Sequence, residues 1–156
     1  MSHPSAEPGH PRSDRELIQL ARAAALRAHA PYSRFHVGCA VESVAGDVVA
    51  GANMENACYR LGICAEQAGL AAAAQAFGLA AVARIAVAAG RIGPDGELTG
   101  SEPVTSCGGC RQAIAEAAAL AGRDVACLFA SGDGTRIEIR ALSDLLPCAF
   151  KADDLA

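Results

Sequence analysis

Tyr59–Ala74 reads YRLGICAEQAGLAAAA, with one thiol (Cys64) and one carboxylate (Glu66) two residues apart at the head of an alanine run. Alanine is the strongest helix former and carries no chemistry of its own. The run therefore predicts a helix from near Cys64 to about Gly78, with both reactive groups and Gln67 in its first turn. The pattern returns downstream. Cys107-Gly108-Gly109-Cys110 opens a second alanine-rich segment, RQAIAEAAALAG, with Gly122 as its C-terminal cap.

Strand-like segments separate these helices. HVGCAVESVAGDVVAGANME reads as two strands joined by a turn at Ala45-Gly46-Asp47. VARIAVAAGR and VACLFAS are apolar runs of the kind buried on both faces. RIEIRAL alternates like a strand with one wet face, and GPDGELTGSEPVTS reads as a loop. An earlier helix starts at the capping box Ser13-Asp14-Arg15-Glu16, with apolar Leu17, Ile18, Ala21, Ala25 and Leu26, and ends near Pro31. LSDLLPCAF gives a short last helix closed by Pro147. Strands alternating with helices imply an α/β fold with about five strands.

The 156 residues suit one domain, 13–156, preceded by a proline-bearing tail over 1–12 that reads as disordered and has no apolar signal core. The alanine-heavy composition, without Trp, predicts helices packed backbone to backbone. A net charge of −4 and the lack of a basic tract argue against nucleic acid as partner. The most apolar stretch, Ala68–Gly90, is broken by Gln75 and Arg84, which argues against a membrane span. A cytoplasmic protein with a small-molecule partner is the expectation.

Cysteine carries the chemistry. Cys39, Cys58, Cys127 and Cys148 read as single residues, mostly core-filling. Cys107 and Cys110 form a C-x-x-C, which suits either a tetrahedral metal ion or a redox pair. Cys64, 43 positions earlier and also at a helix N-terminus, favours metal. Helix N-termini present unpaired N–H groups and partial positive charge, which favour thiolates. Three protein ligands leave the fourth position of Zn²⁺ open, as catalysis requires. Glu66 then stands where a general base and acid is needed.

These residues resemble the small, typically homotetrameric class of zinc-dependent cytidine deaminases. PYSRFHVGCAV, GANMENACY, GICAE and CGGCRQ occur in that family's order, LLPCAF resembles its last segment, and the likeness runs from about Asp14 to Phe150. The family's zinc signature is a His or Cys, a Glu two residues on, then P-C-x-x-C. The resemblance implies a three-layer cytidine deaminase-like fold, a mixed sheet of about five strands flanked by helices. It implies one Zn²⁺ per chain on Cys64, Cys107 and Cys110, with Glu66 catalytic. Asn53 and Glu55 would bind the ribose, Phe35 would flank the pyrimidine, and the Ala65 backbone would meet the base carbonyl. Phe150 would close a neighbouring subunit's pocket, while Asn56 and Tyr59 would form pocket scaffold. The implied reaction is attack of zinc-bound hydroxide on C4 of cytidine or deoxycytidine, with Glu66 shuttling protons and ammonia leaving, a step of pyrimidine salvage.

Two positions depart from the family. Ser106 replaces the usual proline before C-x-x-C, where it would cap the helix. Gln67 replaces a common arginine that donates to the thiolates, and Arg111 would compensate for the lost charge. Two alternative readings remain: a deaminase of a related heterocycle, such as a blasticidin-type nucleoside, and a non-catalytic zinc module of the same fold.

Overall fold

The structure, a computed structural model, describes residues 11–155. The expected tail thus lies outside the described residues apart from Pro11 and Arg12, as does Ala156. Arg12 is tied down. Its backbone N–H donates to Glu42 at 2.8 Å and its guanidinium donates to the Gly46 carbonyl at 2.5 Å. Arg84 completes this corner by pairing with Asp14 and with the buried Glu42.

Helix α1 (Asp14–Ala25) carries the full Ser13–Glu16 capping box and buries Leu17, Ile18, Ala21 and Ala25. It stops well before Pro31, and Leu26, at its C-cap, is exposed rather than buried. The chain turns there because His29 is needed elsewhere. Its N–H donates to the Asn53 carbonyl and its carbonyl accepts from Glu55 N–H, at 3.1 and 2.8 Å.

Strands β1 (His36–Ser43) and β2 (Val48–Ala52) form the expected hairpin, with Gly46 at φ +84° in the turn. Helix α2 (Ala65–Ala76), strand β3 (Val82–Ile92), helix α3 (Gly108–Ala121) and strand β5 (Ala126–Ala130) follow. The loop expected after β3 contains a two-residue strand, β4 (Leu98–Thr99). Gly96, at φ +81°, reverses the chain so that β4 pairs back onto β3. The last elements are strand β6 (Ile137–Ala141) and helix α4 (Leu142–Leu145). The sheet order is β2-β1-β3-β5-β6, with β4 beside β3. β6 is an edge strand whose Ile137 and Ile139 both stay exposed, so the single wet face read from its alternation is not realised.

Side chains alternate across the sheet, as the two-residue period of a strand requires. Ala40, Ala86 and Leu128 face α1, whereas Cys39, Val41, Ile85, Val87, Cys127 and Phe129 lie on the side of α2 and α3. This is the expected three-layer architecture. β2 and β3 both run antiparallel to β1, so they are parallel to each other, and β3 is parallel to β5. The crossovers β2–α2–β3 and β3–α3–β5 therefore run in the same sense and start both helices from one edge of the sheet.

Small residues let these layers meet. A Cβ on Gly38 would sit 2.0 Å from the Ala21 carbonyl oxygen, and one on Gly51 would sit 2.3 Å from Gly69 N and 2.8 Å from the Ala65 carbonyl oxygen. Helix α2 thus rests on the backbone of β2. Gly51→Ala is expected to lower stability by roughly 2 kcal/mol or more, the cost of overpacking against rigid backbone. Denaturant unfolding, read as a drop in midpoint, checks it.

Candidate metal centre and active site

Cys64 is the N-cap of α2 and Cys107 the N-cap of α3, and the Cys64 thiol makes no hydrogen bond to its own helix. Cys110 lies one turn into α3 and is buried. The three Sγ atoms lie within 4.8 Å of one another. A tetrahedral ion with Zn–S bonds of about 2.3 Å needs sulfurs roughly 3.8 Å apart, a spacing inside that limit. The donor set is three thiols, and among the described residues no fourth His, Cys, Asp or Glu joins the group. The residues fit a zinc ion with one open position.

The three thiols differ in their surroundings. Burial pushes Cys64 and Cys110 above the usual thiol range, and the Glu66 carboxylate adds to both shifts. Cys107 is lowered, chiefly because the Cys110 backbone N–H donates to it. The helix N-terminus thus favours the thiolate at one ligand of the three, and burial outweighs it at the others. Cys39 and Cys127 are also raised by burial, Cys127 to about 12, as befits core thiols.

A cavity of about 660 Å³ opens over the cluster, within the range of small-molecule sites of about 300–1,000 Å³. Cys64, Cys107, Cys110, Ala65, Glu66, Asn53 and Glu55 all line it. Glu66 is only 5 % exposed, and Ala65 is fully buried at the first position of α2, where backbone N–H groups have no helical partner. Asn56 and Tyr59 line the cavity too. A bridge between Met54 and Ile63, with paired N–H···O bonds of 3.0 and 2.9 Å, locks the Asn53–Glu55 segment beside Cys64.

Much of the polar capacity near the sugar-side residues is already engaged. The Asn53 side chain accepts from Val37 N–H at 2.8 Å and donates to the Phe35 carbonyl at 3.0 Å. Glu55 accepts from the backbone N–H groups of Tyr32 and Ser33 at 2.9 and 3.2 Å and from the Ser33 hydroxyl. These bonds, the hydroxyl first, hold its carboxyl below the usual range. Arg34 follows at φ +55°, a left-handed conformation costing a side chain about 1 kcal/mol or more.

Other expected residues lie outside the cavity wall. Phe35 is half-buried and Phe150 is 57 % exposed, and neither lines it. The Phe150 backbone is held by Gln112, which donates to its carbonyl at 2.7 Å and accepts from its N–H at 3.2 Å. Gln67 is exposed, since one residue beyond Glu66 is about 100° further round a helix. Arg111 donates to the Ser106 and Leu145 carbonyls at 2.9 and 3.1 Å, bracing the approach to Cys107 instead of bonding a thiol. Ser106 does not cap α3. Cys107 occupies that position, and the buried Ser106 Oγ has no hydrogen-bond partner among the described residues. Tyr32, Ser33, Val104 and Thr105 also line the cavity, although nothing in the sequence pattern singles them out as a group. For Ser33 a signal existed: it stands two residues before Phe35 in a turn ahead of a strand, a common place for a hydroxyl that accepts from the backbone.

Converging helix N-termini, three thiols and a buried carboxylate on an open cavity define a metal-dependent hydrolase. Comparison with known proteins carries this further. Residues 11–123 match the cytidine and deoxycytidylate deaminase zinc-binding region. Cytidine deaminase from Halalkalibacterium halodurans is 41 % identical over 139 residues, covering 89 % of this chain and 95 % of that protein. Cytidine deaminase from Mycobacterium tuberculosis is 37 % identical over 132 residues, 85 % of each chain. The crystal structure of cytidine deaminase from Burkholderia pseudomallei superposes with a TM-score of 0.75 at 34 % identity, covering 89 % of this chain and all of that one. The chain belongs to the zinc-dependent cytidine deaminase family.

Zinc binding is expected to depend steeply on pH. Cys64 and Cys110, with raised pKa values, are protonated at neutral pH, and an ion must displace those protons. Affinity therefore rises with pH, by about tenfold per pH unit for each proton released. Competition with a chelator at pH 6 and pH 8 measures this, with the weaker binding at pH 6.

Proposed function

We propose that the chain hydrolyses cytidine and deoxycytidine to uridine and deoxyuridine with release of ammonia. The observation that carries this reading is the buried Glu66 carboxylate, which shares one cavity wall with the three-thiol cluster. Cys64, Cys107 and Cys110 would hold one Zn²⁺ per chain, which would supply Lewis acidity toward the attacking water. Glu66 takes one proton of the attacking water and delivers it to ring N3. It then takes the second from the hydroxyl added at C4 and hands it to the exocyclic amine, which leaves as ammonia while C4 becomes a carbonyl. Its burial keeps bulk water from competing for that proton. The Ala65 N–H, unpaired at the head of α2, receives the base carbonyl. Asn53 and Glu55 hold the sugar hydroxyls: Glu55 as acceptor, Asn53 through the one amide hydrogen and one lone pair that its bonds to Val37 and Phe35 leave over.

Assembly as a homotetramer is part of the proposal. Tyr59 is 84 % exposed, Leu61 60 % and Ile139 53 %, and large exposed apolar groups of this kind mark association surfaces. Phe150, outside its own cavity, is then available to a neighbour's. Among the described residues no helix is long and apolar enough to cross a membrane. A site built of free thiols suits the reducing cytoplasm.

Glu66→Gln is expected to retain zinc, measured by elemental analysis, while turnover of cytidine falls by about a hundredfold or more, the usual worth of a positioned acid–base group. Loss of the cytosine absorbance follows the reaction, and full activity in Glu66→Gln or none in zinc-loaded wild type would sink this mechanism. Light scattering is expected to return the mass of four chains, and Tyr59→Ser together with Leu61→Ser to lower it.

A further inference from the structure

The loop between α1 and β1 is arranged around one hydroxyl. Ser33 Oγ donates to Glu55 Oε1 and accepts from Phe35 N–H at 3.0 Å, while Ser33 N–H donates to Glu55 Oε2 at 3.2 Å. Tyr32 N–H adds a second donor to Oε2 at 2.9 Å. A serine that merely stabilises its turn needs the bond from Phe35 alone. The bonds to Glu55 reach across 22 residues, from a loop onto the segment that follows β2. Both residues line the cavity.

Lone pairs can be counted. An ionised carboxylate offers about four acceptor sites. Tyr32 and Ser33 N–H groups occupy two on Oε2, and the Ser33 hydroxyl occupies one on Oε1. One acceptor site, on Oε1, is left. Backbone donors fix Oε2 in any variant, whereas the rotation that presents Oε1 depends on the serine hydroxyl.

We propose that Ser33 is a positioning residue of the sugar site: its hydroxyl holds the Glu55 carboxylate so that one acceptor site on Oε1 remains for a substrate hydroxyl. The role rests on the nucleoside deaminase reading and extends it to a residue outside the zinc site. It acts on substrate recognition and not on chemistry, because Ser33 touches neither Glu66 nor a thiol among the hydrogen bonds it makes.

The test compares cytidine with 2′,3′-dideoxycytidine in wild type, Ser33→Ala and Ser33→Thr. Ser33→Ala is expected to raise KM for cytidine about tenfold with kcat within about twofold, the loss of one hydrogen bond to a charged group. For 2′,3′-dideoxycytidine, which has no hydroxyl at these positions, the same variant is expected to match wild type. Ser33→Thr, which keeps the donor, is expected to restore cytidine KM. The ratio of kcat/KM for the two substrates is independent of the fraction of folded protein, so partial misfolding does not blur the result. An equal loss on both substrates, or no loss on cytidine, overturns the role of Ser33 while leaving the deaminase reading intact. Wild type without activity on cytidine overturns that reading, and the Ser33 role with it.

Discussion

Everything in this molecule depends on two helices starting at the same edge of one sheet. β2, β3 and β5 are parallel, and each crossover between them must travel back along the sheet before the next strand begins. The N-termini of α2 and α3 therefore converge, bringing residues 64 and 107 together although 43 positions separate them. Crevices beyond the carboxyl ends of parallel strands are the usual binding sites of α/β proteins. Here the crevice is lined by the two N-caps, both of them cysteines.

Convergence alone would leave the thiols too far apart if bulky side chains held the layers open. The contact of α2 with β2 runs through Gly51 and Gly69, and that of α1 with β1 through Gly38. Alanine in the strands and helices continues the same design. The composition that looked chemically empty in Ala68–Ala76 is what permits backbone-to-backbone approach and fixes the depth at which Cys64 sits.

The elements whose chemistry repeats locally were legible in the sequence. Ser13 and Glu16 announced α1, Gly46 the hairpin, Cys64 and the alanine tract α2, and Gly122, at φ +63°, the end of α3. The zinc ligands were legible because C-x-x-C lets two thiols reach one ion and Cys64 adds a third at another helix N-terminus, where the thiolate is favoured. What escaped was set by contacts distant in sequence. The early end of α1 answers the bonds His29 makes with Asn53 and Glu55, and β4 exists because Gly96 folds it against β3. Nothing local marked Ser33 as the partner of a carboxylate 22 residues on. Arg111 and Gln67 were read from their nearness to ligands along the chain. Helical geometry turns Gln67 outward, and the carbonyls of Ser106 and Leu145 claim Arg111.

That outcome bears on charge. Three thiolates around a dication leave a net −1, and the nearby Glu66 carboxylate makes the region more negative still. Arg111, the residue expected to answer it, spends its donors on backbone carbonyls while keeping its charge beside Cys110, and Gln67 has no charge to offer. The backbone adds a positive field of its own, from the unpaired N–H groups and aligned dipoles at the starts of α2 and α3. The Cys110 N–H, which lowers the Cys107 thiol, is one such donor. The alanine-rich helices thus serve twice, as the packing that positions the ligands and as the source of positive field that a thiolate-rich site requires.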